Sequence, residues 1–127
     1  MNILYVEDNK INAIVMDKML SKNKSSNVII AENGSTALKI IEQVSLDLIL
    51  IDINLGSNQM NGCELLKRFR EYDELKNTPM FAVTAYAMPG DAQKFIKIGF
   101  DKYFSKPINF DKLLSTIHQI KLQREHS

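Results

Sequence analysis

The chain has 127 residues, of which 45% are hydrophobic, 16 are Lys or Arg and 15 are Asp or Glu. This length fits one ordinary domain with a real core, while a formal net charge of +1 does not indicate a nucleic-acid footprint. The chain carries no long apolar run typical of a membrane span, no signal-peptide pattern, and one cysteine, Cys63, so we expect a soluble, cytoplasmic protein without an internal disulfide.

Strands and helices are predicted to alternate along the whole chain, because short apolar runs alternate with segments of helical periodicity. Strands are expected at residues 2–6, 28–31, 46–51, 80–84 and 101–105. Helices are expected over about 10–21 and 35–44, after Gly62, after Pro89, and after Asn109 or Asp111. The first helix carries more apolar residues than one buried stripe needs. This alternation predicts an α/β sandwich with a parallel sheet and right-handed crossovers.

The third predicted strand is the most informative segment. Its apolar run, LDLILI at residues 46–51, stops abruptly at Asp52. Such a run is typical of a strand buried on both faces of a parallel sheet. Ligands of these sheets gather outside the carboxyl ends of the strands, where Asp52 would lie. For a lone Asp at this position, a cap of the loop or of the next helix is the favoured interpretation, and the rest of the chain changes that balance.

Other polar residues follow other predicted strands. Glu7 and Asp8 follow the first strand, Thr84 ends the fourth, and Lys106 follows the fifth. Carboxyl ends of parallel strands share one edge, so three carboxylates would repel one another there unless a cation neutralised them. Oxygen ligands suit Mg²⁺. A cation, a lysine and a hydroxyl together favour binding of a phosphoryl group, and Asp52 could be its nucleophile.

Each of these residues also has a plainer interpretation. Asp8 could cap the first helix, and Glu7 could be a solvated strand end. Thr84 could be a loop hydroxyl, and Lys106 could be a surface charge. Only their combination at the strand ends favours a site.

With these residues in place, the sequence resembles the receiver domains of two-component response regulators. Its segments VEDN and SKPI are most similar to those of receivers attached to hybrid sensor histidine kinases. The resemblance covers essentially the whole chain, with residues 1–122 expected to form the domain and 123–127 a polar tail. The matching segments are VEDN at 6–9, LILIDIN at 48–54, MNGCELL at 60–66, VTAYA at 83–87 and DKYFSKPI at 101–108.

The resemblance implies a flavodoxin-like (βα)₅ three-layer sandwich with strand order 2-1-3-4-5. It also implies that Asp52 accepts a phosphoryl group from a histidine kinase or a histidine phosphotransfer protein. The side chains of Glu7, Asp8 and Asp52, with the backbone carbonyl of Asn54, would hold Mg²⁺, with Mn²⁺ as a possible substitute. The family often has Asp at the position of Glu7.

Further roles are implied for residues near the phosphoryl group. Lys106 would pair with its oxygens, aimed by a cis bond to Pro107. Thr84 and Tyr103 would switch on phosphorylation and change the face of helix four, strand five and helix five, which would control a downstream target that the sequence does not identify. The loop from 52 to 62 is longer than is common, with Gly56 where many members have proline.

Two other classes remain as alternatives. A haloacid-dehalogenase-like phosphatase also uses an Asp at a strand end, but such enzymes need a second acid two positions later, where this chain has Asn54. A phosphorylation-independent interaction module would keep the fold without the chemistry. We expect a phosphoacceptor domain rather than an enzyme, with no direct nucleic-acid binding and no membrane insertion. Whether it is a free-standing regulator or a domain of a longer kinase stays open.

Overall fold

The computed structural model describes residues 1–22, 26–53, 61–85 and 90–125. Over these residues the strands are β1 (Asn2–Val6), β2 (Asn27–Ala31), β3 (Leu48–Asp52), β4 (Met80–Thr84) and β5 (Lys102–Ser105). The helices are α1 (Lys10–Leu20), α2 (Gly34–Gln43), α3 (Gly62–Arg70), α4 (Asp91–Ile98) and α5 (Phe110–Glu125), with a 3₁₀ turn at Asp73–Leu75. None of the helices in this described part is long and apolar enough to cross a membrane.

The strands form one parallel sheet in the order β2-β1-β3-β4-β5, as predicted. The predicted strand boundaries differ slightly from the observed ones. β3 begins at Leu48 rather than Leu46, because the preceding Asp47 bonds to Asn2 through both its backbone N–H and its side chain. The last helix continues to Glu125, so most of the polar C-terminal segment extends the helix. The domain boundary at residue 122 stays a prediction.

Side chains of the central strands alternate between two cores, one on each face of the sheet. Ile3, Tyr5, Leu48 and Leu50 pack with the apolar faces of α1 and α5. The intervening residues pack on the other face, against α2, α3 and α4; they are Leu4, Val6, Ile49 and Ile51. This period of two is that of a β-strand, and burial on both faces explains why β3 reads as a continuous apolar run.

Asparagine side chains set where four of the helices begin. The side-chain oxygens of Asn9, Asn33, Asn61 and Asn109 each accept a hydrogen bond from the backbone N–H three residues later, at 2.8–3.1 Å. Such N-caps satisfy N–H groups that have no partner within the helix. In parallel α/β topology they lie near the carboxyl ends of the strands, so the helix starts frame that edge.

A glycine allows α3 to start directly against β3. A Cβ placed on Gly62 would lie 2.8 Å from the backbone oxygen of Asp52 and 2.8 Å from the Cα of Ile53. Its N–H also donates to the carbonyl of Ile53 at 3.2 Å. Backbone atoms cannot move aside cheaply, so only glycine fits here, and this close contact fixes the strand end that carries Asp52.

At the opposite edge of the sheet, Arg70 at the end of α3 ties β4 and β5 together. Its guanidinium donates to the carbonyls of Leu75 and Thr78 at 2.8 and 2.9 Å, and forms an ion pair with Asp101 at 3.1 Å. The Asp101 carboxylate in turn accepts from the N–H of Met80 at 2.8 Å. These bonds fix where β5 starts, and thereby help to place the residues that follow its other end.

Candidate functional site

Three carboxylates meet at the carboxyl edge of the sheet. Glu7 and Asp8 follow β1, and Asp52 is the last residue of the adjacent strand β3. One oxygen from each of the three lies within 4.8 Å of the others. Glu7 is 1% exposed and Asp52 3% exposed, while Asp8 is exposed. Because Asn9 is the N-cap of α1, Asp8 is not needed for that role.

Lys106 joins this cluster from β5, two strands away from β3. Its Nζ lies 2.9 Å from Oδ2 of Asp52 and 3.4 Å from Oε1 of Glu7. Its backbone N–H donates to the carbonyl of Thr84 at 2.7 Å, and the bond from Lys106 to Pro107 is cis. Tyr5, Leu50 and Phe104 each lie two positions before one of the charged residues Glu7, Asp52 and Lys106. All three pack in the core beneath α1 and α5. Strand alternation therefore directs the three charges to the same side of the sheet.

Tyr103 lies on the other face of the sheet, and Thr84 ends the strand between β3 and β5. Thr84 is the fully buried last residue of β4, two positions after Ala82, which packs in the core beneath α2, α3 and α4. Tyr103 is half-buried against the same core, opposite Ala82 in the strand register. Its ring stacks on Phe95 of α4, with centroids 5.5 Å apart and planes 15° from parallel. Tyr103 is thus placed towards α4, whereas strand alternation places Glu7, Asp52 and Lys106 towards α1 and α5.

One expected ligand lies outside the described residues. The Asn54 carbonyl, Gly56 and the rest of the longer loop fall within residues 54–60. Pro89, expected at the start of helix four, falls within residues 86–89. The expectations for these positions therefore stay predictions.

Glu7 is the residue whose charge the site perturbs most clearly. Burial and hydrogen bonding with Asp52 raise the pKa of Glu7 from 4.5 to about 7, against the opposing effects of a hydrogen bond from Asn12 and the charge of Lys106. Burial alone would lower the pKa of Lys106, but its hydrogen bond with Asp52 and the two carboxylate charges outweigh this and raise it. Proton and cation binding at Glu7 are therefore expected to compete near neutral pH.

We expect this competition to appear in the stability of the metal-free protein. Because the pKa of Glu7 is raised from 4.5 to about 7 on folding, its contribution to stability is fully present below pH 4.5 and is lost as the pH rises through about 7. Thermal unfolding in a chelator, followed across this range, should show the loss in the native protein. Glu7→Gln, which cannot titrate, should flatten that part of the profile; an unchanged profile would contradict the assignment.

Two residues of the site had not been predicted from the sequence. Asn12, in the first turn of α1, donates from Nδ2 to Oε1 of Glu7 at 2.7 Å. The hydroxyl of Tyr5, buried within β1, donates to Oε2 of the same carboxylate at 3.4 Å. Burial and the neighbouring charges of Glu7 and Asp52 raise the pKa of Tyr5, so this hydroxyl remains a proton donor. The sequence does contain a hint for Asn12, because a polar residue in the first turn of a helix, five positions after Glu7, can reach back towards that acid.

The donor set suits a divalent cation. The three carboxylates carry three negative charges when ionised, and the charge of Lys106 offsets one of them. The two remaining negative charges match the charge of a divalent ion. Carboxylate oxygens with one exposed ligand, Asp8, match the preference of Mg²⁺ for hard oxygen donors and retained water. The residues that are present therefore fit a magnesium site.

A parallel α/β sandwich with paired acids after β1, an aspartate ending β3 and a lysine after β5 is the arrangement expected of the receiver domains of two-component signalling. Comparison with known families agrees, because the model of the response regulator receiver domain matches residues 3–118. The chain belongs to this family.

Its relatives cover nearly its whole length. The polar-differentiation response regulator DivK of Brucella anthropi is 34% identical over 116 residues, which are 91% of this chain and 92% of that protein. The chemotaxis response regulator CheY4 of Vibrio cholerae superposes with a TM-score of 0.81 at 26% identity, over 94% of this chain and 97% of that one. The receiver domain of a sensor histidine kinase from Pseudomonas aeruginosa, solved with magnesium coordinated in its active site cleft, has a TM-score of 0.80 at 27% identity, over 93% and 94%.

Proposed function

We propose that this domain accepts a phosphoryl group on Asp52 from a phosphohistidine, in a reaction that depends on Mg²⁺. The observation that carries the proposal is the contact of Lys106 Nζ with Asp52 at 2.9 Å, within a cluster of three carboxylates at the carboxyl edge of the sheet. Because β4 lies between β3 and β5, this contact requires that the side chains of Asp52 and Lys106 converge on one site. Mg²⁺ binding by the relative from Pseudomonas aeruginosa supports the same role for the acids here.

In the proposed transfer, a carboxylate oxygen of Asp52 attacks the phosphorus atom. A phosphorus–oxygen bond forms, the bond between phosphorus and the imidazole nitrogen breaks, and the histidine leaves as imidazole. The charge of Lys106 is already placed beside Asp52, so it can pair with an oxygen of the incoming group without rearrangement. Mg²⁺, held by Glu7, Asp8 and Asp52, would neutralise phosphoryl charge. The burial of Asp52 limits access by water.

Thr84 and Tyr103 are proposed to transmit the change. Thr84 ends the strand between those that carry Asp52 and Lys106, and its carbonyl already accepts the Lys106 N–H at 2.7 Å. Tyr103 lies against α4 through its stacking on Phe95. A phosphoryl group bonded by Thr84 and Lys106 would therefore bias the packing of Tyr103, and with it the surface formed by α4, β5 and α5. We propose that this surface meets the downstream partner.

The phosphodonor is proposed to dock on α1. Ile11 and Ile14 are 72% and 55% exposed, on a helix that starts beside Glu7 and Asp8. Contiguous exposed apolar surface that is rimmed by polar residues marks sites of protein–protein interaction. A histidine kinase or a histidine phosphotransfer protein would place its phosphohistidine over Asp52 from this side.

Ile11→Asp is expected to slow phosphotransfer from a protein donor roughly tenfold or more, because it places a charge in an apolar contact. Labelling by acetyl phosphate, which needs no docking, should be unchanged. Lys39→Asp, at an exposed position of α2, is the control, because it also introduces an aspartate on a helix surface. Equal transfer rates for Ile11→Asp and the native chain would argue against docking here.

The central test is the mass of the intact protein after incubation with acetyl phosphate. With Mg²⁺ present, one phosphoryl group should be added, and a chelator should prevent the addition. Release of the group by hydroxylamine would identify an acyl phosphate. No added mass under any of these conditions would favour a module that works without phosphorylation.

A further inference from the structure

The carboxylate of Glu7 is held on three sides by donors from different parts of the chain. Asn12 donates to Oε1 at 2.7 Å, Tyr5 donates to Oε2 at 3.4 Å, and Lys106 approaches both oxygens at 3.4 and 3.5 Å. The bond from Asn12 is the shortest of these and comes from the helix that immediately follows Glu7. Among these donors, Asn12 is therefore the one best placed to fix the position of Oε1.

The position of Asn12 in α1 makes this bond unusual. Its backbone N–H already bonds to the N-cap Asn9 at 3.0 Å, so it is the third residue of the helix. A polar side chain at this position commonly folds back to the backbone of the N-cap. Here it reaches past the cap to an acidic side chain five residues earlier. The bond thus links the helix start to the metal-binding edge, rather than only closing the helix.

The length of the Glu7 side chain explains why this bond matters for cation binding. A glutamate has one more rotatable bond than an aspartate, so its carboxylate can occupy more positions and loses more freedom when it binds a cation. A donor that fixes one oxygen leaves the other lone pairs pointing in a defined direction. Removing a group that orients a metal ligand commonly weakens metal affinity about tenfold or more.

Resting on the proposed cation role of the acid cluster, we propose that Asn12 is a positioning residue that fixes Glu7 for binding of the divalent ion. Asn12 and Glu7 then act as a matched pair, in which the amide compensates for the longer acid. Tyr5 supports the same carboxylate more weakly, through its longer bond. The inference predicts that the effect of Asn12 depends on which acid stands at position 7.

The test is a double-mutant cycle on cation affinity, measured by calorimetric titration of the purified chain with Mg²⁺ and with Mn²⁺. Asn12→Ala should weaken binding roughly tenfold. In a Glu7→Asp background the shorter acid lies out of reach of Asn12, so adding Asn12→Ala should change the affinity little. Tyr5→Phe should weaken binding less than Asn12→Ala does. Thr36→Ala, at the same position of α2 and away from the acids, is the matched control and should bind as the native chain does.

Three outcomes would overturn the inference. Unchanged affinity in Asn12→Ala would remove the positioning role, and an equal loss in both backgrounds would show that Asn12 acts independently of Glu7. If the native chain bound neither ion, the proposed cation role would fall as well, which separates the two failures. Asn12 is a partly exposed helical residue, so Asn12→Ala should fold; Asn12→Ser, whose side chain is too short to reach Glu7, provides a second variant with the same expected loss.

Discussion

Asp52→Asn is expected to abolish phosphorylation by acetyl phosphate and by any protein donor. An amide oxygen is a far weaker nucleophile than a carboxylate, and an amide cannot form a stable acyl phosphate. The substitution preserves the size of a side chain that is 3% exposed, so the sheet should still form. Intact-mass measurement should find one added phosphoryl group in the native chain and none in the variant. Digestion should place the group in the native chain on the peptide that contains residue 52.

Controls separate the role of this aspartate from that of acidic residues in general. Asp73→Asn removes an acid from the 3₁₀ turn, where it pairs with Lys76 on the exposed surface. It should be labelled as the native chain is. Asp8→Asn keeps the proposed nucleophile but removes an exposed member of the acid cluster, so it should be labelled only at raised Mg²⁺ concentrations. Normal labelling of Asp52→Asn would refute the assignment of the acceptor.

The sequence was sufficient to predict which strand ends carry the polar residues. β3 is buried on both faces, so its apolar run and the acid that ends it are unambiguous in sequence. Parallel strands bring their carboxyl ends to one edge, which predicts the meeting of Glu7, Asp52 and Lys106 without coordinates. The same logic, combined with the period of two along a strand, also predicts that Tyr103 lies on the opposite face of the sheet from these charges.

The parts that could not be predicted depend on side-chain direction and on local competition for hydrogen bonds. Asn12 could have faced solvent, as most polar residues of a first helical turn do; its bond to Glu7 depends on one rotamer. The sequence pattern predicts Tyr5 as an ordinary core residue of β1. The spacing of polar residues does not indicate that its hydroxyl bonds to Glu7. The apolar pattern places the start of β3 two residues early, because it does not reveal that Asp47 bonds to Asn2.

Lys106→Met is expected to destabilise the metal-free protein at alkaline pH while leaving it folded. Methionine retains most of the aliphatic stem but removes the charge that pairs with Asp52 at 2.9 Å and Glu7 at 3.4 Å. Losing one partner of a largely buried ion pair commonly costs about 3 kcal/mol. Here the cost should be smaller below the Glu7 pKa of about 7, because a protonated Glu7 no longer repels Asp52. Thermal unfolding at acidic and alkaline pH, compared with the exposed control Lys102→Met, measures the difference.

The same variant should separate cation binding from phosphoryl transfer. With Lys106 gone, a divalent ion becomes the main neutralising charge for the acids, so added Mg²⁺ should stabilise Lys106→Met more than it stabilises the native chain. Phosphorylation should nevertheless slow roughly a hundredfold, because no donor remains in the place of Nζ to meet the developing phosphoryl charge. Native rates of labelling in Lys106→Met would mean that the contact with Asp52 is structural only. A smaller stabilisation by Mg²⁺ than in the native chain would mean that Lys106 assists cation binding instead of competing with it.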